Sequence, residues 1–190
     1  MAPAFHFYQS HQLESTMKVI NLFGGPGLGK STTAAGLFFE MKKMGLEVEL
    51  VQEYAKDMVW EQRHNVLEDQ IYVFAKQQRR IARLVNHNIS WVITDSPIPL
   101  GLVYVKPDTL GDNFSNLVME TFNLYENYNF LLSRNVEYNP VGRNQKTVQE
   151  AVEFDVKVQN LLSKYGVGYL HVVGGEPAVP AILSAIGVTS

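Results

Sequence analysis

The residues best suited to chemistry lie in the run Gly24-Gly25-Pro26-Gly27-Leu28-Gly29-Lys30-Ser31. It fits G-x-x-x-x-G-K-[ST], with an apolar strand pattern before it and a helical pattern after it. Glycines in such a loop let backbone N–H groups turn inward around phosphate oxygens. The helix that follows presents its positive N-terminal end to the same anion. Gly25, Gly27, Leu28 and Gly29 are therefore expected to line a nucleotide's phosphates, with Thr32 at the α- or β-phosphate. Lys30 is expected to reach the β- and γ-phosphates, and Ser31 to offer its hydroxyl to Mg²⁺. The motif points to a nucleoside triphosphate with Mg²⁺, ATP being the expected one and GTP left open. By itself it does not separate a kinase from an ATPase or a GTPase.

Carboxylates follow the next two strand patterns. Val51-Gln52-Glu53-Tyr54-Ala55-Lys56-Asp57 places Glu53 at a strand end, with Asp57 one helical turn further on as the weaker alternative. A kinase needs a base within reach of the attacking hydroxyl, and Glu53 is the candidate. Thr94-Asp95-Ser96-Pro97 ends the third strand pattern in a carboxylate, the arrangement that holds Mg²⁺ beside a phosphate loop. Contact with the acceptor, or the role of base, stays open for Asp95. The segment from Arg134 to about Lys146 is polar and carries Pro140, Gly142 and two arginines. It is expected to act as a lid over about 134–147, with Arg143 stabilising the charge of the moving phosphoryl group and Arg134 as the second candidate.

Other residues qualify as acceptor contacts. Trp60 and Arg63 lie just after the expected base. Gln70, Gln77 and Gln78 sit on or beside the apolar stripe of the helical stretch 66–86, where an amide pairs well with a base edge. On that stretch Leu67, Ile71, Phe74, Ile81 and Val85 share the face expected to pack on the sheet. Lys76, Arg79, Arg80 and Arg83 share the opposite one, where a phosphate backbone is a possible partner.

These residues need a frame that brings strand ends together. Strand patterns at 18–23, 47–51, 91–94, 129–133 and 169–173 alternate with helical ones at about 30–44, 66–86, 99–125 and 147–165, and a short helix follows Pro177. The expected fold is α/β: a three-layer P-loop sandwich, its five-stranded, mainly parallel sheet covered by helices on both faces. In such sheets ligands bind beyond the carboxyl ends of the strands, where the candidate residues fall. Residues 1–16 read as an N-terminal extension and 17–190 as a single domain.

The 190 residues contain no cysteine, which excludes disulfides and thiolate metal sites and suits a cytoplasmic setting. Hydrophobic residues make up 46%, which excludes wholesale disorder. No run of about 18 apolar residues is present, so no membrane partner is expected. The net charge of −3 argues against coating nucleic acid, though not against a local basic face.

Together, Gly24 to Ser31, Glu53-Tyr54-Ala55-Lys56 and Asp95-Ser96-Pro97 resemble the nucleoside-kinase-like branch of P-loop kinases, which includes deoxynucleoside kinases and the ribosylnicotinamide kinase domain. Glu68-Asp69-Gln70, Phe74-Ala75-Lys76-Gln77 and Gly142-Arg143-Asn144-Gln145 are similar to segments of small bacteriophage kinase-like proteins, some of which phosphorylate 5-hydroxymethyluracil within DNA. The resemblance covers about 17–173. It implies a kinase of a nucleoside-like acceptor, with Glu53 as base and Arg143 as lid arginine, in the cytoplasm of an infected bacterium if the chain is phage-encoded. Deoxynucleoside kinases carry Glu-Arg-Ser where this chain has Asp95-Ser96-Pro97, which counts against a free deoxynucleoside. A kinase of a free nucleoside, of deoxynucleoside or ribosylnicotinamide type, is the alternative within the class. An ATP-driven switch is the alternative outside it; there a glutamate ordinarily follows the strand-end Asp, and here Ser96 does.

Overall fold

The computed structural model describes residues 17–85, 87–134 and 147–188. The expected extension 1–16, Arg143 and the interior of the expected lid lie outside the described residues.

Five strands form the sheet: β1 (Lys18–Phe23), β2 (Val48–Val51), β3 (Trp91–Thr94), β4 (Glu126–Ser133) and β5 (Leu170–Val173), in the order β2-β3-β1-β4-β5. Every pairing is parallel, with Asn21 opposite Thr94 on one side and Asn129 on the other. β1 lies between β3 and β4, so its carboxyl end opens at the point where successive connections diverge, the place where open parallel sheets bind ligands.

The helices are α1 (Lys30–Lys43), α2 (Tyr54–Trp60), α3 (His64–Glu68), α4 (Gln70–Ala82), α5 (Asp112–Phe122), α6 (Val148–Lys164) and α7 (Ala178–Ala185), with a 3₁₀ segment at Ile98–Tyr104. Among the described residues none is long and apolar enough to cross a membrane. α1 ends in two backbone bonds, Gly45 N–H to Lys42 O and Leu46 N–H to Met41 O, that close its last carbonyls. α6 opens with a capping sequence, the Thr147 hydroxyl accepting from Glu150 N–H at 3.1 Å.

Alternation along β1 sends Ile20 and Leu22 to one face, where they pack with Leu37 and Met41 of α1 and Ile182 of α7. Val19 and Phe23 face the other way. Val19 joins Ile81 of α4 and Val118 of α5, and Phe23 joins Phe154, Val158 and Leu162 of α6. Two helical layers thus enclose the sheet as expected.

Several boundaries differ from the sequence reading. The stretch 66–86 is not one helix: the Asp69 carboxylate accepts from Tyr72 N–H at 3.0 Å and starts α4 afresh. The inward face of α4 then runs through Gln70, Phe74, Gln77 and Ile81, which leaves Ile71 54% exposed instead of packed on the sheet. The short helix α2 was not expected. The region 99–125 resolves into the 3₁₀ segment and α5, and β4 begins at Glu126, before the expected Asn129.

Candidate active site

The glycine loop leaves β1 and turns into α1. Gly29 has φ 80°, and a Cβ there would collide with the backbone of Gly175. That turn after β5 is fixed to α1 by a reciprocal pair: the Thr33 hydroxyl donates to Gly175 O at 3.1 Å and accepts from Gly175 N–H at 3.0 Å. Lys30 lies along the loop, Nζ donating to Gly24 O at 2.8 Å and to Gly25 O at 2.7 Å. Gly25 N–H donates to Asp155 Oδ1 at 2.9 Å.

The Ser31 hydroxyl donates to Asp95 Oδ2 at 2.6 Å, and the other oxygen, Oδ1, accepts from Glu53 N–H at 3.0 Å. One carboxylate thus ties the end of β3 both to the first turn of α1 and to the end of β2. The Glu53 carboxylate itself accepts no hydrogen bond among the described residues. Its pKa is raised from the ordinary value near 4.5, first by burial; the nearby Lys30 ammonium pulls it down and the Asp95 charge pushes it up. A raised carboxylate pKa in a cleft marks a candidate functional position.

These groups line a cavity of about 290 Å³. One end holds the loop from Gly24 to Thr32. Glu53 and Asp95 line the cavity as well, with Lys56, Val59, Trp60, Gln70, Tyr104 and Phe154 among the other lining residues. The Tyr104 and Phe154 rings pack at 5.0 Å, and Trp60 stands at the rim, 62% exposed.

The three glutamines part company. Gln70 is only 8% exposed; its amide donates to Leu67 O at 2.6 Å, and its carbonyl meets no donor among the described residues. Gln77 does not face the cavity, because its carbonyl accepts from Tyr54 N–H at 2.9 Å and its amide lies 3.5 Å from the Thr94 hydroxyl. Gln78 hydrogen-bonds Tyr125, on the α5 side of the helix. Arg63 pairs with Glu61 at 3.4 Å and lies outside the cavity lining. Arg134 donates to Pro26 O at 3.1 Å and to Asp155 Oδ2 at 2.7 Å, so it braces the glycine loop and is not among the acceptor-side walls. Of the basic stripe, Arg80 holds Gln52 O at 3.0 Å and Asp57 Oδ2 at 2.7 Å, and Lys76 lies over the Tyr72 ring. Asp57, the weaker candidate base, is engaged there.

Sequence reasoning missed Thr33, the Gly174-Gly175 turn and Asp155. The paired glycines after β5 were a visible signal of close backbone approach. Asp155 gave none, being 130 residues from the amide that it holds.

A protein-family model described as an AAA domain matches residues 19–177. A search of the curated proteins finds no match. Among solved structures, NadR in complex with NR superposes with a TM-score of 0.71 at 17% identity, covering 92% of this chain and 53% of that one. NadR in complex with NAD and AMP-PNP gives 0.67 at 18%, over 92% and 51%. Deoxyadenosine kinase from M. mycoides with bound dATP, at 18% identity over 89% and 97% of the two chains, reaches a TM-score of only 0.46. At such identities the likeness is one of fold, and the chain spans about half the length of the NadR chains.

Proposed function

The chain belongs to the AAA domain family, and from that premise we propose that it is an ATP-dependent kinase that phosphorylates a hydroxyl of a nucleoside-like acceptor. One observation carries the reading. The Ser31–Asp95–Glu53 connection joins the phosphate loop to the residue whose carboxylate meets no hydrogen-bond donor among the described residues, and all three residues line one cavity.

In this reading Lys30 leaves the loop carbonyls for the β- and γ-phosphates of ATP. The Ser31 hydroxyl and the Asp95 carboxylate suit a hard cation, since both present oxygen at one point. Mg²⁺ in such sites is held largely by phosphates and water, with one or two protein oxygens. When bound there, the ion would supply charge neutralisation along the phosphates. Glu53 takes the proton from the acceptor hydroxyl; that oxygen bonds to the γ-phosphorus as the bond to the β-phosphate oxygen breaks, and ADP leaves.

On the acceptor side, the unmatched Gln70 carbonyl in a wall of aromatic and aliphatic groups suits a planar base with an N–H edge. Our leading acceptor is 5-hydroxymethyluracil in DNA, extruded past Trp60 into the cavity. A free nucleoside is the second reading, favoured by the engagement of Arg80 with Asp57 and of Arg63 with Glu61, which leaves fewer cations for a strand.

The test is incubation with γ-labelled ATP and Mg²⁺ alongside hydroxymethyluracil-containing DNA, unmodified DNA and a panel of nucleosides. Label on the modified DNA alone supports the leading acceptor, and label on a nucleoside alone replaces it with the second. Free phosphate with no labelled acceptor overturns the kinase reading in favour of an ATP-driven switch.

A further inference from the structure

The half of the glycine loop nearest β1 is gripped by side chains on every side. Gly25 O and Gly24 O accept from Lys30, Gly25 N–H donates to Asp155 Oδ1, and Pro26 O accepts from Arg134, whose other nitrogen donates to Asp155 Oδ2. Asp155 reaches the loop from α6, whose neighbouring residues fix its place. Ala151, one turn earlier, is fully buried, and Phe154 and Val158 pack beneath the sheet. A Cβ on Gly25 would overlap Asp155 Oδ1 and come within 3.3 Å of Ala151 O, so helix and loop meet with no room between them.

A carboxylate beside a polyphosphate site is electrostatically unfavourable unless it is balanced and does something in return. Arg134 balances it in a pair whose side chains are 20% and 23% exposed. The return follows from Lys30. A lysine that turns to phosphate gives up Gly24 O and Gly25 O, and among the described residues Asp155 and Arg134 then remain as the side chains holding that turn.

We propose that Asp155 is a positioning residue for nucleotide binding: with Arg134 it holds the Gly24–Pro26 turn in its binding shape after Lys30 has moved to the phosphates. It touches neither nucleotide nor acceptor. The proposal rests on the reading of this loop as the ATP site. A loop ordered before the ligand arrives loses less entropy on binding.

The experiment is calorimetric titration of MgATP into the full chain and its Asp155→Ala and Asp155→Asn variants, with thermal midpoints recorded. Asp155 uses one oxygen for Gly25 and one for Arg134. Asparagine has a single carbonyl and turns a donor toward the other, so it must lose one bond. Asp155→Ala is expected to weaken MgATP binding on the order of tenfold, and Asp155→Asn by less. In turnover, KM for ATP rises while KM for the acceptor stays put, a split that general destabilisation does not produce. Should the alanine variant fail to fold, the isosteric Asn variant decides alone. Unchanged MgATP affinity in any folded variant, with wild type binding normally, overturns this proposal and leaves the ATP site standing. Wild type that takes up no MgATP overturns both.

Discussion

Glu53 concentrates the conflict between stability and chemistry in one side chain. Burial holds its pKa above 4.5, so the folded chain binds that proton more tightly than the unfolded chain does. Between the ordinary value and the raised one, the unfolded state carries fewer protons, and stability falls as pH rises through that window. A general base works in the opposite sense, because only its ionised form accepts a proton. We therefore expect kcat/KM to climb with pH along a limb above the ordinary carboxylate range. Glu53→Gln should keep ATP affinity and lose phosphoryl transfer by about a hundredfold or more. The same variant should be more stable than wild type at neutral pH and lose the pH dependence of its unfolding in that window. Wild-type transfer by Glu53→Gln would remove the role from Glu53 and return it to Asp95, which the sequence left open as a base. Glu53 and Asp95 were legible because each lies within two residues of the end of a strand pattern, and strand ends converge on the glycine loop. Gln77 was misleading: an amide on an inward helix face looks the same in sequence whether it meets a ligand or, as here, the N–H of Tyr54.

Among the elements, β1 and β4 are locked by a polar ladder at the middle of the sheet. The Asn21 amide, 1% exposed, donates to Asn127 Oδ1 at 2.8 Å and to Asn129 Oδ1 at 3.0 Å; Asn127 in turn holds Phe122 O and Tyr125 O, and Asn129 holds Gly168 O. A one-residue slip would turn these groups to the opposite face, so the ladder specifies the β1–β4 register, which sets the glycine loop beside Arg134. Asn21→Val suits the strand but leaves two acceptors without their donor. A loss of about 1–3 kcal/mol is expected, measured as a lower urea midpoint with unchanged slope. An unchanged midpoint would make the ladder incidental. The strands themselves were readable, because interior parallel strands are nearly continuous apolar runs. The short helix α2 was not, since only Tyr54 and Met58 are buried along it, too little for a period. Nor was the break at Asp69, where a single capping carboxylate outweighs an apolar stripe that runs on across it.

At the scale of the whole molecule, the site draws on the carboxyl end of every strand and on distant parts of the chain. The loop follows β1, Glu53 follows β2, Asp95 follows β3, Arg134 follows β4, and the turn after β5 backs the loop through Thr33 and Gly175. The alternating α/β order announced this convergence, as all five carboxyl ends of a parallel sheet lie on one edge. The pairings that cross between layers, Asp155 with Gly25 above all, have no sequence period and emerge only once the chain is folded. A site assembled this way exists only in the folded state, so ligand binding must feed into global stability. At MgATP one hundred times its Kd, the linkage contributes about 2.7 kcal/mol. For a chain of this length that corresponds to a rise in Tm of roughly 5–10 °C. Lys30→Ala should abolish most of the rise while leaving the Tm of the ligand-free chain close to wild type, because Lys30 contacts loop carbonyls and not the apolar core. Differential scanning calorimetry across a series of MgATP concentrations reads both effects. A flat Tm across the series would show that no ligand gathers these strand ends, and every chemical role assigned to them would fall with it.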